Sequence, residues 1–258
     1  MLQDERLDAI VQYLNEHERI DIETICKINN VSKDTARRDL INLEEMRKII
    51  RIRGGAKKAL LSNEVHNYGE RMNMASEAKG KIGKFAASLI NNGDHLILDA
   101  STTVQFLAKY LTSRNNTVVT NSINIASVLS QREDIKVNLL GGTLSTRHQA
   151  IYGSRAIRDI QDYKVNKCII GTCGISVEGL STSIEEEGLL VHEMIKRSDQ
   201  VIVIADSTKF NKTFFQKVCD LNSVDIVITD KEVPKNMQEI LNKHVVEVIV
   251  VPGHERDE

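Results

Sequence analysis

Short apolar runs alternate with amphipathic helical stretches from residue 76 to residue 251. The apolar runs have the length of strands and lie at residues 95–98, 117–119, 136–140, 167–170, 200–204, 225–228 and 245–251. Helical periodicity is visible before and between them at residues 82–90, 104–111, 123–129, 187–196 and 235–242. A parallel strand needs a long crossover, usually a helix, before the next strand can pair. The alternation therefore predicts an α/β fold with a doubly wound, mostly parallel sheet and helices on both faces.

The first 58 residues have a different pattern, which predicts three short helices and a hairpin. Apolar residues at positions 7, 10, 11 and 14 mark the first helix, and a second patch surrounds positions 22–26. Ser32 is predicted to cap the third helix, because its hydroxyl can accept a free backbone N–H. Residues 48–53 then alternate apolar and cationic side chains and are followed by Gly54 and Gly55, as in a hairpin with one basic face. This order is typical of a winged helix-turn-helix, whose third helix enters the DNA major groove.

The charge of the chain is unevenly distributed along these elements. The formal net charge is −2, but residues 27–58 carry ten basic and four acidic side chains, which gives +6. On charge alone, a solvated charge run is as plausible as a surface that binds a polyanion, and a helical dimerisation module is a further alternative. The positive charge falls on the elements that would touch DNA, which favours binding to double-stranded DNA. The predicted DNA-binding residues are Ser32, Lys33, Thr35, Arg37 and Arg38 in the third helix, and Arg51, Arg53 and Lys57 in the wing.

Residues 59–74 separate the two patterns. They show no sustained period, so we interpret them as a linker with local order around Tyr68 and Arg71. The predicted organisation is a winged helix-turn-helix domain at 1–58, a linker at 59–74 and a sensor domain at 75–258.

Composition and cysteine usage narrow the class of protein. The longest apolar runs, such as residues 201–205, are far too short for a membrane span, and the acidic, amphipathic start does not resemble a signal peptide. The four cysteines are scattered, and none of the seven histidines lies at ligand spacing with a cysteine. We therefore expect a cytoplasmic protein without a metal site, a cofactor or a membrane contact.

Polar residues follow five of the predicted strands at the point where each strand ends. They stand at positions 99–103, 120–122, 141–143, 171–174 and 206–209. Ligands of open α/β sheets bind beyond these carboxyl ends, so we predict a ligand pocket there. The Ser101-Thr102-Thr103 turn is either a phosphate cradle or an ordinary N-cap, with Lys209 as a compensating charge. Asp99 would repel a phosphate, so it is assigned to sugar hydroxyls or to orienting the loop.

Several of these segments resemble a known family. The run VSKDTARRDLINLEEMRKIIRIRGGA at 31–56 closely resembles the N-terminal signature of DeoR-family bacterial transcriptional regulators. Residues 79–82 (KGKI), 98–103 (LDASTT), 120–122 (TNS), 139–142 (LLGG), 171–175 (GTCGI) and 205–210 (ADSTKF) are similar to motifs of the family's sensor domain. The resemblance spans nearly the whole chain. One departure is Ser101, which stands where the family usually has glycine.

The resemblance implies a repressor of a sugar or polyol catabolic operon that senses a phosphorylated sugar. It also implies a sensor domain similar to ribose-5-phosphate isomerase. Carried over by motif, the effector-binding residues are Asp99, Ser101, Thr102, Thr103, Thr120, Asn121, Gly141, Gly142, Asp206 and Lys209. Lys79 and Glu187 also occupy positions typical of the family.

An enzyme is the alternative: a sugar-phosphate isomerase with a DNA-binding regulatory head. Isomerisation needs a carboxylate base over the sugar carbons. The related isomerases have acidic residues after a central strand where this chain has Gly171-Thr172-Cys173-Gly174, which favours a sensor without catalytic residues. Helix-turn-helix proteins read half-sites as dimers, so a homo-oligomer is expected, as a dimer or a larger assembly.

Overall fold

The protein is described here from a computed structural model, in which residues 2–59 and 66–251 are described. The chain divides into two compact units, Met1–Glu64 and Val65–Glu258. Residues 60–65 of the predicted linker lie outside the described residues. Over the two described ranges, none of the helices combines the length and the apolar character that a membrane crossing requires.

The N-terminal unit contains three helices and a small antiparallel sheet. Its elements are α1 (Gln3–His17), β1 (Arg19–Asp21), α2 (Ile22–Asn29), α3 (Lys33–Glu45), β2 (Ile49–Ile52) and β3 (Gly55–Lys58), and the strands pair in the order β1-β3-β2. The core is formed by apolar residues of all three helices together with Ile20, Ile49 and Ala56. The three predicted helices and the hairpin are confirmed.

Two details of this unit differ from the sequence pattern. Strand β1 between the first two helices is not predicted from the sequence, because its three residues are too few to show an alternation and only Ile20 is buried. In the wing, Ile49 joins the core, but Ile50 and Ile52 are 43% and 39% exposed. The apolar side of the hairpin is therefore open in this unit.

The C-terminal unit begins with helices α4 (Tyr68–Asn73) and α5 (Ser76–Ser88). The remaining elements are β4 (His95–Leu98), α6 (Thr102–Tyr110), β5 (Thr117–Thr120), α7 (Ile123–Leu129), β6 (Lys136–Leu139), β7 (Thr143–Ser145), β8 (Ala150–Tyr152), α8 (Ser154–Gln161), β9 (Val165–Ile170), β10 (Gly174–Ser176), β11 (Gly179–Thr182), α9 (Glu185–Lys196), β12 (Ser198–Ile204), β13 (Gln216–Cys219), β14 (Ile226–Thr229), α10 (Lys235–Lys243) and β15 (Glu247–Val250). Helix α4 lies inside the segment that the sequence predicts to be linker.

Seven strands form one parallel sheet in the order β15-β14-β12-β9-β4-β5-β6. Successive strand residues point to opposite faces, so Ile97 and Val119 join one apolar core while Leu96 and Val118 join the other. Helices α5, α6 and α7 pack in the second core, and α8, α9 and α10 pack in the first. The doubly wound α/β fold is confirmed.

The strand order reverses between β4 and β9. From β4 the chain first adds β5 and β6 on one side, and it then crosses to β9, β12, β14 and β15 on the other. Such a switch point opens a crevice at the carboxyl edge of the sheet, because the two flanking connections leave in opposite directions. The fold thus places a binding crevice beside the ends of β4 and β9.

The sequence pattern did not predict the antiparallel pair β7-β8, the antiparallel sheet β10-β11-β13 or helix α8. The strands in these sheets have three or four residues, so their sequences contain too few repeats to show a period.

Candidate functional sites

Helix α3 is positioned as the sequence predicts for a DNA-reading helix. Ser32 is its N-cap and accepts a hydrogen bond from the Thr35 backbone N–H at 3.3 Å. Asn30 adopts a left-handed conformation (φ 51°) that ends α2 and turns the chain into α3. Because α3 buries Ala36 and the two leucines that follow on the same face, Arg37 and Arg38 are left exposed.

Exposed ion pairs involve several of the predicted DNA-binding cations. They join Lys33 to Glu23 at 3.5 Å, Arg37 to Asp34 at 3.2 Å and Arg51 to Glu44 at 3.5 Å. Exposed pairs of this kind contribute little stability, so a phosphate can replace the carboxylate at small cost. Arg38 forms no ion pair with any residue that the structure describes, and its side chain is the most direct candidate for base contact.

A buried ion pair sets the rotation of α3. Asp39 is 1% exposed, and Arg6 of α1 donates to it from Nε at 2.8 Å and from Nη2 at 2.9 Å. This two-point contact holds α3 against α1 in one orientation. Sequence reasoning missed it, because Asp39 stands among exposed charges in the sequence.

The wing requires glycine where it meets β1. A Cβ atom on Gly55 would lie 2.8 Å from the Asp21 Cα and closer still to the Ile20 carbonyl. Gly54 has a φ of +86° and forms the turn. Arg53 beside this turn is exposed, while Lys57 on β3 is half-buried.

In the C-terminal unit, Asp99 joins the two strands of the switch point. Its Oδ1 accepts hydrogen bonds from the backbone N–H of Ser101 at 3.1 Å and of Gly171 at 3.2 Å. Burial raises the pKa of Asp99 to about 7, the two N–H donors oppose this shift, and the charge of Glu187 adds to it. This geometry favours the interpretation that Asp99 orients the loop.

Helix α6 begins at this point with two backbone donors available. Ser101 is its N-cap, and the Ser101 Oγ accepts from the Val104 N–H at 3.1 Å. The preceding N–H groups, those of Thr102 and Thr103, have no hydrogen bond within residues 2–59 and 66–251. Free N–H groups and the positive end of a helix dipole attract anions.

A second group of predicted effector residues supports the loops around β8. The Thr120 Oγ1 accepts from the Ser122 N–H at 3.1 Å, and Asn121 donates from Nδ2 to the Ile151 carbonyl at 3.1 Å. The Asn121 Oδ1 is buried without a partner among the described residues. In this arrangement Thr120 is fully enclosed and acts on the loop, and direct contact of these residues with an effector stays a prediction.

Both glycines of the predicted pair have close neighbours. Gly142 has a φ of +151°, and a Cβ atom there would lie 3.0 Å from the Ile151 Cγ2 and closer to the Tyr152 carbonyl. A Cβ atom on Gly141 would lie 3.2 Å from the Arg155 Nε. Gly142 therefore allows β8 to pack closely, and a role of either glycine in effector binding stays a prediction.

Basic side chains gather beyond the end of β12. Asp206 caps the short turn Ser207–Lys209 and accepts from the Thr208 N–H at 3.1 Å. Lys79 of α5 is 4% exposed and donates from Nζ to the Arg71 carbonyl. Burial lowers the pKa of Lys79 to about 8, the charge of Asp206 opposes this shift, and the charges of Lys209 and Arg71 lower the pKa further.

The same region contains residues that sequence reasoning did not assign to the site. Glu187 accepts from the Thr182 hydroxyl at 2.6 Å. Burial raises the pKa of the Tyr152 phenol, and the charges of Glu187, Arg71 and Asp99 all act on it. The Tyr152 phenol is therefore within electrostatic reach of both acidic and basic groups of the site.

The sequence predicts local order around Tyr68 and Arg71 within the linker, and helix α4 confirms it; a sequence signal for the helix itself also exists. Asn67 and Glu70 form a capping box, with Glu70 N–H donating to Asn67 Oδ1 at 2.9 Å and Asn67 N–H donating to Glu70 Oε2 at 2.9 Å. The Asn-x-x-Glu spacing is readable in the sequence.

Comparison with known families matches both units. Residues 6–59 match the model of the DeoR-like helix-turn-helix domain, and residues 74–231 match that of the DeoR C terminal sensor domain.

Individual proteins agree with this match. The chain is 46% identical to the HTH-type transcriptional repressor GlcR of Bacillus subtilis over 100% of this chain and 99% of that protein. It is 30% identical to the glycerol-3-phosphate regulon repressor of Escherichia coli over 96% of this chain and 99% of the relative. Ribose 5 phosphate isomerase A from Neisseria gonorrhoeae shows a TM-score of 0.37 at 16% identity, over 52% of this chain and 53% of that one, which is too low to support a functional argument. The protein belongs to the DeoR family of helix-turn-helix transcriptional regulators.

Proposed function

We propose that the protein represses an operon for sugar or polyol catabolism, and that a phosphorylated sugar modulates its binding to operator DNA. Family membership supports the regulatory role, and the named relatives include a repressor of a glycerol-3-phosphate regulon. The observation that carries the proposal is the pairing of an exposed cationic helix in one unit with an anion-suited crevice in the other.

The N-terminal unit supplies the chemistry for DNA. Arg38 projects from α3, where a planar guanidinium can bond two acceptors on a guanine edge. Arg53 and Lys57 in the wing fit phosphate contacts, which add affinity independent of sequence. A homo-oligomer would place two α3 helices on successive half-sites.

The C-terminal unit supplies the chemistry for a phosphorylated sugar. The start of α6 has two free N–H donors, and Lys209, which follows strand β12, adds a positive charge that acts on the buried Lys79. The Tyr152 phenol and the Glu187 carboxyl, whose charge acts on that phenol, supply polar groups that suit sugar hydroxyls. Regulation requires only that the effector binds one arrangement of the protein better, by about 1–3 kcal/mol.

We infer that this crevice does not catalyse isomerisation. Asp99 is held by two backbone N–H groups at 3.1 and 3.2 Å, so its Oδ1 is committed to the loop. The segment Gly171-Thr172-Cys173-Gly174 after β9 brings no carboxylate. The named relatives are regulators, which also favours a sensor acting in the cytoplasm over an enzyme.

The proposed contact of α3 with operator DNA is tested with the variant Arg38→Ala in the full chain. Loss of a two-point base contact worth about 1–3 kcal/mol should weaken binding about 5- to 150-fold on a duplex selected from a random library. Arg158→Ala, an exposed arginine of α8, is the matched control and should bind normally. Unchanged affinity of the Arg38 variant would remove α3 from the interface.

The proposed binding of a phosphorylated sugar is tested with a thermal-shift screen of pentose, hexose and triose phosphates. A ligand of the native state raises the melting temperature by mass action. Each stabilising compound is then followed by NMR for conversion. Stabilisation without conversion supports a sensor, whereas turnover would establish the isomerase.

A further inference from the structure

The guanidinium of Arg71 is held in place without a polar partner. Its Nε is buried and has no hydrogen bond, and no carboxylate pairs with the group within the part of the chain that the structure describes. The guanidinium carbon lies 5.6 Å from the centre of the Tyr68 ring, which fixes its position. A buried donor without an acceptor is costly, so an absent anionic ligand is the simplest acceptor.

Helix α4, which carries Arg71, is connected to the candidate effector site at both of its ends. At its start, the Tyr68 N–H donates to the Arg147 carbonyl at 3.0 Å, and the Tyr68 hydroxyl donates to Gln105 on α6. Toward its end, the Arg71 carbonyl accepts from the buried Lys79 Nζ. The candidate phosphate turn leads directly into α6, so helix α4 and that turn are both attached to α6.

The charges around Arg71 favour an anion. Arg71 and Lys209 both lower the pKa of Lys79, which places three cations within electrostatic reach of one another. Asp206 is the carboxylate that opposes them at Lys79. The three cations outnumber this carboxylate and that of Glu187, whose charge acts with those of Arg71 and Lys209 on the Cys173 thiol, so the region suits an anion such as a phosphate monoester. A planar guanidinium also matches the paired oxygens of a phosphate.

We propose that Arg71 binds the phosphate group of the effector and thereby couples helix α4 to occupancy of the site. This inference rests on the proposed function. Helix α4 is the first helix of the C-terminal unit. A ligand that engages Arg71 stabilises one position of α4 over others, which gives the effector the differential affinity that regulation requires.

The experiment compares Arg71→Gln with wild type in the full chain. The probes are inorganic phosphate and the sugar phosphates of the thermal-shift screen, with affinity measured by calorimetry. We expect at least a tenfold weaker affinity for the phosphorylated probes and unchanged operator binding without them. Release of operator DNA should then need at least tenfold more of the same probe. Arg158→Gln is the control and should match wild type in all three measurements.

Arg71→Lys tests whether binding needs the planar guanidinium with its several N–H donors or only a positive charge. Lysine keeps the charge but lacks the Nε donor, so we expect an intermediate, several-fold loss of affinity. This variant carries the test if Arg71→Gln fails to fold. A wild type that responds to no phosphorylated probe would contradict the proposed function itself. A wild type that responds, with Arg71→Gln and Arg71→Lys responding equally well, would overturn the role of Arg71 alone.

Discussion

The packing of Gly171 against Ser101 leads to a specific stability prediction for Gly171→Ala. A Cβ atom on Gly171 would lie 2.5 Å from the Ser101 Oγ and closer to the Ser101 Cβ, well inside ordinary contact distance. Ser101 has little freedom to move away. Its Oγ caps α6 through the Val104 N–H, and its own N–H donates to Asp99.

The magnitude follows from two costs. Overpacking a tight site typically costs about 1–3 kcal/mol. If Ser101 rotates instead, the helix loses a cap worth about 1 kcal/mol. We therefore expect Gly171→Ala to lower the free energy of unfolding by about 1–3 kcal/mol, a drop of roughly 2–12 °C in the melting temperature of a unit of this size.

The assay is urea denaturation of the full chain, without effector, in a double-mutant cycle with Ser101→Gly. Glycine at an N-cap costs only a few tenths of a kcal/mol, so Ser101→Gly alone should be nearly neutral. In the Ser101→Gly background, Gly171→Ala should hardly change the free energy of unfolding, which gives a coupling energy of about 1–3 kcal/mol between the two positions. The matched control is Gly80→Ala in α5, where a Cβ atom would meet only the Tyr110 hydroxyl at 3.9 Å, and it should be neutral or stabilising. A Gly171→Ala variant as stable as wild type, or one that Ser101→Gly does not rescue, would refute the packing argument.

Three further predictions concern the pH dependence of stability, the response to effector and the salt dependence of DNA binding. Because the pKa of Asp99 is raised to about 7 in the folded protein, its burial should cost stability progressively as pH rises from about 4 to about 7, up to about 4 kcal/mol. Asp99→Asn should flatten this part of the melting-temperature profile, and a profile parallel to wild type would count against it. Thr102→Ala keeps the backbone N–H but removes the hydroxyl, so it should keep operator affinity and weaken the response to effector in a gel-shift titration, and release at the wild-type effector concentration would exclude a contact of the Thr102 hydroxyl with the effector. Arg53→Gln should reduce the slope of log affinity against log salt by about one unit, and an unaltered slope would exclude a phosphate contact.

Local sequence patterns were sufficient for the main elements of both units. Strand β4 and helix α7 have the bounds that periodicity predicts, and the Ser32 cap of α3 is present. These features depend on residues within a few positions of one another. A period or a cap is therefore readable without knowledge of the rest of the chain.

Long-range pairings could not be obtained in the same way. The pairing of β4 with β9, with Leu98 opposite Ile169, joins segments about seventy residues apart, and no local pattern records it. The partner of Asp39 is also distant, because Arg6 lies on another helix, 33 residues away in sequence. The sequence predicts only local order around Arg71 and not a helix, because the six residues of α4 are too few to show a periodic pattern of apolar side chains.

The central claim is that one chain binds operator DNA under the control of a sugar phosphate that it leaves unchanged. It is tested most directly by titrating a selected duplex with the full chain, with and without each phosphorylated sugar, and then analysing the recovered sugar by NMR. We predict that one compound changes DNA affinity about 5- to 150-fold, as a coupling of about 1–3 kcal/mol requires, and that it is recovered intact. Equal DNA affinity with every compound, or recovery of the sugar phosphate as its isomer, would contradict the claim.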